Sequence, residues 1–342
     1  MRRTSRAACQ DSGVAGRNGA FGGGAAAIEF REATKRYAGQ PRYAVDHLTL
    51  RVEPGEVCVL VGPSGGGKTT AMKMVNRLVE FDSGDVRLDD TSVRELDATQ
   101  LRRHIGYVIQ QVGLFPHMTV AGNVAVVPEL LGWPKARVRE RVDELLELMG
   151  LDAGEYRDRY PSQLSGGQRG RVGIARALAG DPEVLLMDEP FGALDPITRA
   201  RLQDQFLRLQ DAVRKTVIFV THDIDEAVRI GDRIAILREG GVLAQHDTPN
   251  AVLAHPADEF VARLVGADRG LKLLSLHRVD EVQLESAELG SNDDPRVDAS
   301  ATLRDALSVI LSEAASRCLV VDGTRPLGSL SLDRIADLLA RR

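Results

Sequence analysis

The sequence predicts an α/β fold in which helices wind around a buried, mainly parallel sheet, followed by a smaller α+β module. Three observations predict it. Four short apolar runs, Val57 to Val61, Val184 to Met187, Thr216 to Val220 and Ile234 to Leu237, lack the in-out alternation of a half-exposed strand and read as strands covered on both faces. Helical patterns separate them. Each of the first three ends where a chemical motif begins, and a doubly wound sheet gathers its ligands at the carboxyl ends of its strands.

The chain has 342 residues, 43% of them hydrophobic, enough for about two domains at roughly 150 residues each. Forty-four Lys and Arg against 49 Asp and Glu give a net charge of -5, which argues against a dedicated nucleic-acid binder with its clustered basic excess. Cys9, Cys58 and Cys318 are too few and scattered for a disulfide framework or a thiolate metal site, and they fit a reducing, cytoplasmic compartment. No apolar run approaches the ~18 residues that a membrane span needs. Any membrane association is therefore expected through a partner.

Residues 1–27 start basic and turn rich in Gly, Ala and Ser without the apolar core of a secretory signal, so a disordered tail is expected. From Ile28 the composition is globular. The strand Val57 to Val61 runs into Gly62-Pro63-Ser64-Gly65-Gly66-Gly67-Lys68-Thr69, the G-x-x-x-x-G-K-[ST] pattern, with a helix expected over Thr70 to Val79. The glycines let backbone N–H groups turn around a β-phosphate, the helix N-terminus adds its dipole, and Lys68 neutralises β/γ oxygens. Thr69 is placed to hold Mg²⁺ through its hydroxyl, and Thr70 continues the phosphate-binding set. A flexible Gly-rich turn would not require both a strand before it and a helix after it.

Between Thr119 and Pro161 the strand signal vanishes and a helical insertion is expected. Pro134 opens a helix whose Val138, Val142, Leu145 and Met149 share one face before Gly150 stops it. That stripe reads as core. Ser165 and Gln168 in Leu164-Ser-Gly-Gly-Gln168 form a capping-box pattern for a helix to about Ala179. Capping does not require Gly166 and Gly167, each of which costs about 1 kcal/mol of helix propensity. Bare backbone at a helix start suits a second anion. Past the next strand, Asp188 is expected to bind Mg²⁺ and Glu189 to polarise the water that attacks a γ-phosphate.

These motifs together resemble the ATPase subunit of an ABC transporter, with Leu164 to Gln168 in the place of its signature. The resemblance implies a P-loop NTPase with an ABC-type nucleotide-binding domain, a mixed sheet plus a helical subdomain, over about 28–266. It also implies ATP and Mg²⁺ as ligands and a head-to-tail homodimer in which one subunit's signature completes the other's site. Tyr37 resembles the aromatic that stacks on adenine, with Tyr43 a nearby competitor. Gln110 resembles the residue that touches Mg²⁺ and water and begins the loop contacting membrane subunits. Asp195 resembles the residue that crosses the dimer interface, and His222 the switch histidine. Gly170 departs from the family, which usually has a polar residue there, and is expected to loosen the signature helix. His104, His246, His255 and His277 have no partner pattern and read as structural.

The segments Met72 to Leu78, Gln110 to Met118, Val126 to Trp133 and Gly266 to Lys272 are similar to importers of glycine betaine, choline, carnitine and related quaternary amines. That likeness implies integral permease subunits, an extracytoplasmic substrate-binding protein, and a place on the cytoplasmic face of the membrane. The runner-up is an importer of an amino acid or other small solute. A soluble ABC ATPase acting on ribosomes or DNA usually carries tandem domains or a long coiled coil, and neither is seen. A linker is expected over 267–294. The segment 295–342, read as helix (Leu303 to Ala314), strand (Cys318 to Val321), turn, strand and helix (Leu332 to Leu339), resembles a single CBS-type regulatory repeat.

Overall fold

A computed structural model describes residues 24–110, 113–192, 194–286 and 294–340. Most of the expected tail, up to residue 23, lies outside the described residues. So do Gln111 and Val112 of the loop that begins at Gln110, and Ala193 of the segment leading to Asp195.

Strands β1 (Ile28–Lys35) and β2 (Val45–Val52) pair antiparallel. β3 (Val57–Val61) precedes the glycine loop and α1 (Lys68–Val75) follows it. β4 (Ser83–Leu88) and β5 (Thr91–Ser92) join the first pair in an antiparallel sheet of order β2-β1-β4-β5. The chain continues through α2 (Ala98–Arg103) and β6 (Ile105–Val108) to four helices without a strand, α3 (Val120–Leu130), α4 (Lys135–Leu148), α5 (Ala153–Tyr156) and α6 (Gly166–Leu178). Then β7 (Val184–Asp188), α7 (Pro196–Val213), β8 (Thr216–Val220), α8 (Ile224–Ile230), β9 (Arg233–Leu237) and β10 (Leu243–Asp247) complete a second sheet. Its order is β10-β9-β3-β8-β7-β6, and only β10 runs antiparallel to its neighbour.

Side chains of a strand alternate between faces, and here each face has its own core. Val57, Val59 and Val61 enter the core formed with the helices, whereas Cys58 and Leu60 enter the one shared with the antiparallel sheet. β8 divides the same way, with Val217 and Phe219 on one side and Ile218 and Val220 on the other. Every residue of β3, β7 and β8 is buried, and each large one contributes about 1.5–3 kcal/mol. This accounts for the unbroken apolar runs.

Helices α9 (Pro249–Ala254), α10 (Glu259–Val265) and α11 (Arg269–Ser275) follow. β11 (Arg296–Asp298), α12 (Leu303–Ser312), β12 (Arg317–Asp322), β13 (Arg325–Ser331) and α13 (Leu332–Ala340) then form a three-stranded sheet, β11-β12-β13, with a separate core that includes Val297, Ile310, Val320 and Ile335.

Two helices differ from the sequence expectation. α1 begins at Lys68 and ends at Val75 rather than running from Thr70 to Val79. Arg77 adopts φ 53°, and the N–H groups of Leu78 and Val79 both turn back to the Lys73 carbonyl, which closes the helix. α12 stops at Ser312, two residues early, and Ala314 takes a positive φ. Gly170 does not break α6, which is continuous across it. Within the expected linker 267–294, Arg269–Ser275 form a helix, and residues 287–293 lie outside the described residues.

Candidate functional site

The glycine loop is held by backbone contacts that leave no room for side chains at two positions. A Cβ on Gly62 would come within 2.1 Å of the Leu237 carbonyl oxygen, and one on Gly67, at φ +73°, within 2.0 Å of the Ala44 oxygen. The turn after β9 braces the loop further, since Gly240 N–H donates to the Gly65 oxygen over 3.2 Å. Sequence reasoning missed this brace. The Gly240-Gly241 pair between two strands was the available signal.

Ser64, Gly65, Gly66, Gly67, Lys68, Thr69 and Thr70 line a hollow of about 350 Å³ together with Glu189 and His222. Lys68 is 8% exposed, and its Nζ donates to the carbonyls of Gly62 (2.8 Å) and Pro63 (2.9 Å). Burial pushes its pKa down while Glu189 and Asp188 oppose that shift. An ammonium that donates to two carbonyls of its own loop, beside bare backbone at a helix start, has the charge and donors for a polyphosphate.

Thr69 Oγ1 donates to Asp188 Oδ1 over 2.9 Å. Burial at the end of β7 raises the Asp188 carboxyl above its ordinary range, and the Thr69 hydroxyl acts against that. A hydroxyl and a carboxylate side by side are hard oxygen donors that suit Mg²⁺, an ion that keeps most of its shell as water and substrate phosphate. These residues fit MgATP.

Glu189 follows at φ 45°, an unfavourable conformation for a residue with a side chain, at about 1–3 kcal/mol. Its N–H is fixed to the Val220 carbonyl (3.0 Å). One carboxylate oxygen accepts from Gln110 Nε2 at 3.0 Å, and the other lies 3.2 Å from His222 Nδ1. Gln110, Glu189 and His222 follow β6, β7 and β8, which are neighbours in the sheet. Parallel strands therefore bring three loops to one point beside the glycine loop after β3.

Tyr37 stands at the rim. It is 44% exposed, and its hydroxyl is 3.5 Å from Thr70 Oγ1. Tyr43 is similarly exposed and lies against Arg36.

Ser165, Gly166, Gly167, Gln168 and Asp195 do not line this hollow. The capping box is present: Gln168 N–H donates to Ser165 Oγ (3.2 Å), and Ser165 N–H donates to Gln168 Oε1 (2.8 Å). Gly167 has a steric reason as well as an electrostatic one, because a Cβ there would meet Thr198 Cγ2 at 2.6 Å. Gly166 has room for a Cβ, which would make an ordinary contact with Leu194 Cδ2 at 3.8 Å. Asp195 caps α7, accepting from Thr198 N–H over 3.0 Å.

Beside Gln110 runs an apolar groove whose lining includes Tyr107, Ile109, Phe115, Val126 and Val127. No helix among the described residues is long and apolar enough to cross a membrane.

A family profile described as ABC transporter matches residues 45–192. The chain is 47% identical to the osmoprotectant import ATP-binding protein OsmV of Salmonella typhimurium, over 88% of this chain and 78% of that one. It is 46% identical to the glycine betaine uptake system ATP-binding protein YehX of Escherichia coli, over 89% of this chain and 97% of that one. Among solved structures, the dimeric bacterial ABC transporter cassette MJ0796 is similar at TM-score 0.58 and 34% identity, over 65% of this chain and 98% of that one.

Proposed function

The chain belongs to the ATP-binding subunits of ABC transporters, and from that premise we propose that its ATP hydrolysis energises import of a quaternary amine osmoprotectant of the glycine betaine, choline or carnitine type. The observation that carries the reading is the junction of loops in which Glu189, bridged to Gln110 and His222, faces the Lys68 ammonium across one hollow. The substrate class is supported by the import systems named for relatives at 45–47% identity.

In this reading Gly62 to Thr70 bind the phosphates, Lys68 neutralises them, and Tyr37 stacks on the base. Thr69, Asp188 and Gln110 would hold Mg²⁺, which arrives with the nucleotide and supplies charge neutralisation at the β- and γ-oxygens. Glu189 accepts the proton of the attacking water. His222 and Gln110 hold the Glu189 carboxylate in place.

A homodimer is part of the same reading. Ser165 to Gln168 and Asp195 lie outside their own chain's hollow, and a twin subunit would present them to it. The apolar groove beside Gln110 suits a helix of an integral permease subunit. The subunit would sit on the cytoplasmic face of the membrane through that contact, with an extracytoplasmic binding protein supplying the solute. The segment 295–342 is read as a single CBS-like regulatory module, on the support of its separate sheet and core.

The test is ATP turnover by the subunit assembled with its permease in vesicles that hold the binding protein. Glycine betaine, choline or carnitine is expected to stimulate turnover. Stimulation by an amino acid and by none of these amines would overturn the substrate class.

A further inference from the structure

Helix α11 belongs to two bodies at once. Leu273 packs into the core beneath the large sheet, whereas its neighbour Leu274 packs into the core of the terminal module. Leu339 of α13 closes on it, with its Cδ1 3.9 Å from where a Cβ on Gly270 would stand.

Lys272, next to Leu273, is only 6% exposed. Its ammonium is 2.5 Å from Asp268 Oδ1 on its own helix and 3.4 Å from Asp225 Oδ1 on α8. Gly266, at φ +88°, keeps the approach clear, because a Cβ there would meet Asp268 Oδ1 at 2.7 Å. Asp268 is held below the ordinary carboxylate range chiefly by its hydrogen bond to Lys272, with Arg304 of α12 adding to the effect. Alternating charge thus runs from Asp268 through Lys272 to Asp225, while Leu274 and Leu339 join the same helix to the terminal module.

Asp225 lies three residues past His222. Between them Asp223 caps α8, accepting from the N–H groups of Asp225 and Glu226. Glu226 is buried and accepts from Gln203 of α7 over 3.0 Å. The first turn of α8 is therefore gripped from two sides, by α7 through Glu226 and by α11 through Asp225. The His222 turn is the direct continuation of that grip. Asp268 and Asp225 are both more than half exposed and Asp268 remains when Asp225 is lost, so the pair with Asp225 contributes little to stability. What it fixes is position, because the buried stem of Lys272 sets where its ammonium meets Asp225.

We propose that Lys272 is a positioning residue for hydrolysis: through Asp225 it ties the terminal module and α11 to the strand-to-helix turn that carries His222. Lys272 does not reach the nucleotide hollow. Whatever displaces the terminal module then displaces His222 relative to Glu189, which sets the rate and not the nucleotide affinity. The inference rests on the ATPase reading above.

The test uses the full chain, with kcat and KM for ATP measured for wild type, Glu189→Gln, Asp225→Asn, Lys272→Met, Lys272→Arg and the double variant Asp225→Asn/Lys272→Met. Asp225→Asn and Lys272→Met are each expected to lower kcat about threefold or more with KM unchanged. Lys272→Arg should retain the wild-type rate, and the double variant should be no slower than the slower single. Asp225 is largely exposed, so Asp225→Asn should keep its melting temperature within about 2 °C, and it decides the matter should Lys272→Met fail to fold. Wild-type kcat in Asp225→Asn, or losses that multiply in the double variant, would overturn the proposal. A wild-type chain no faster than Glu189→Gln would instead overturn the ATPase reading.

Discussion

At Glu189 the backbone accepts φ 45° so that a carboxylate leaves the end of β7 toward Gln110 and His222. Strain of this kind persists where surrounding contacts over-determine it, and here the Glu189 N–H bond to Val220 and the two side-chain contacts do so. Glu189→Gln keeps the shape and an amide oxygen that can accept from Gln110 Nε2 but cannot take a proton. It is expected to bind ATP normally and to lose hydrolysis by ~100-fold or more, read as single-turnover phosphate release. His246 is half-buried beside Cys58, with Arg233 Nε donating to its Nε2 over 3.2 Å. Desolvation first, and then the Arg233 charge, lower its pKa from 6.5 to about 4. The unfolded chain therefore binds a proton that the folded one refuses between those values, so this contribution to stability is complete above pH 6.5 and is lost as the pH falls toward 4. His246→Gln should flatten the decline of the urea midpoint between pH 7 and 5. An unchanged decline would show that the ring is not the group responsible.

Among the elements, four strands of the six-stranded sheet, β3, β7, β8 and β9, are legible because helices and a second sheet bury both of their faces, whereas the short β6 and the half-buried β10 carry no such run. The antiparallel sheet is not legible. Glu32 in β1 and His47 in β2 adopt positive φ, and register shifts follow Phe30 and Ala33, so the period of two that marks a half-buried strand is interrupted. β11 was hidden for another reason: it has three residues, only Val297 is buried, and it lies in a polar stretch. In the site, the glycine loop and the two acids at the end of β7 can be read from spacing, whereas the Gly240 brace depends on a contact between segments far apart in sequence. In the signature helix, the expected loosening at Gly170 can be tested by substitution. Gly170 lies inside an intact α6, and a Cβ there would meet only Leu202 Cδ1 at 3.8 Å, an ordinary contact. Gly170→Ala is thus expected to stabilise the chain by about 0.5–1 kcal/mol, seen as a higher melting temperature with ATP turnover retained. A fall in melting temperature would mean that the site has less room than the 3.8 Å contact allows.

On the scale of the whole molecule, one chain carries two helix starts with bare glycine backbone that do not meet. Gly67 and Lys68 open α1 at the nucleotide hollow, and Ser165 opens α6 away from it. In the homodimer proposed above, a head-to-tail pair would place each α6 start over the other chain's glycine loop and build two complete sites from two incomplete ones. The terminal module, joined through α11, sits outside this pairing and acts on it through the turn that bears His222. Catalysis should consequently be a property of the pair. The most direct measurement is ATP turnover per molecule as the protein is diluted through its association range, with the monomer and dimer fractions followed by sedimentation. The account predicts that turnover falls with the dimer fraction. A strict monomer that hydrolyses ATP at the undiluted rate would contradict it.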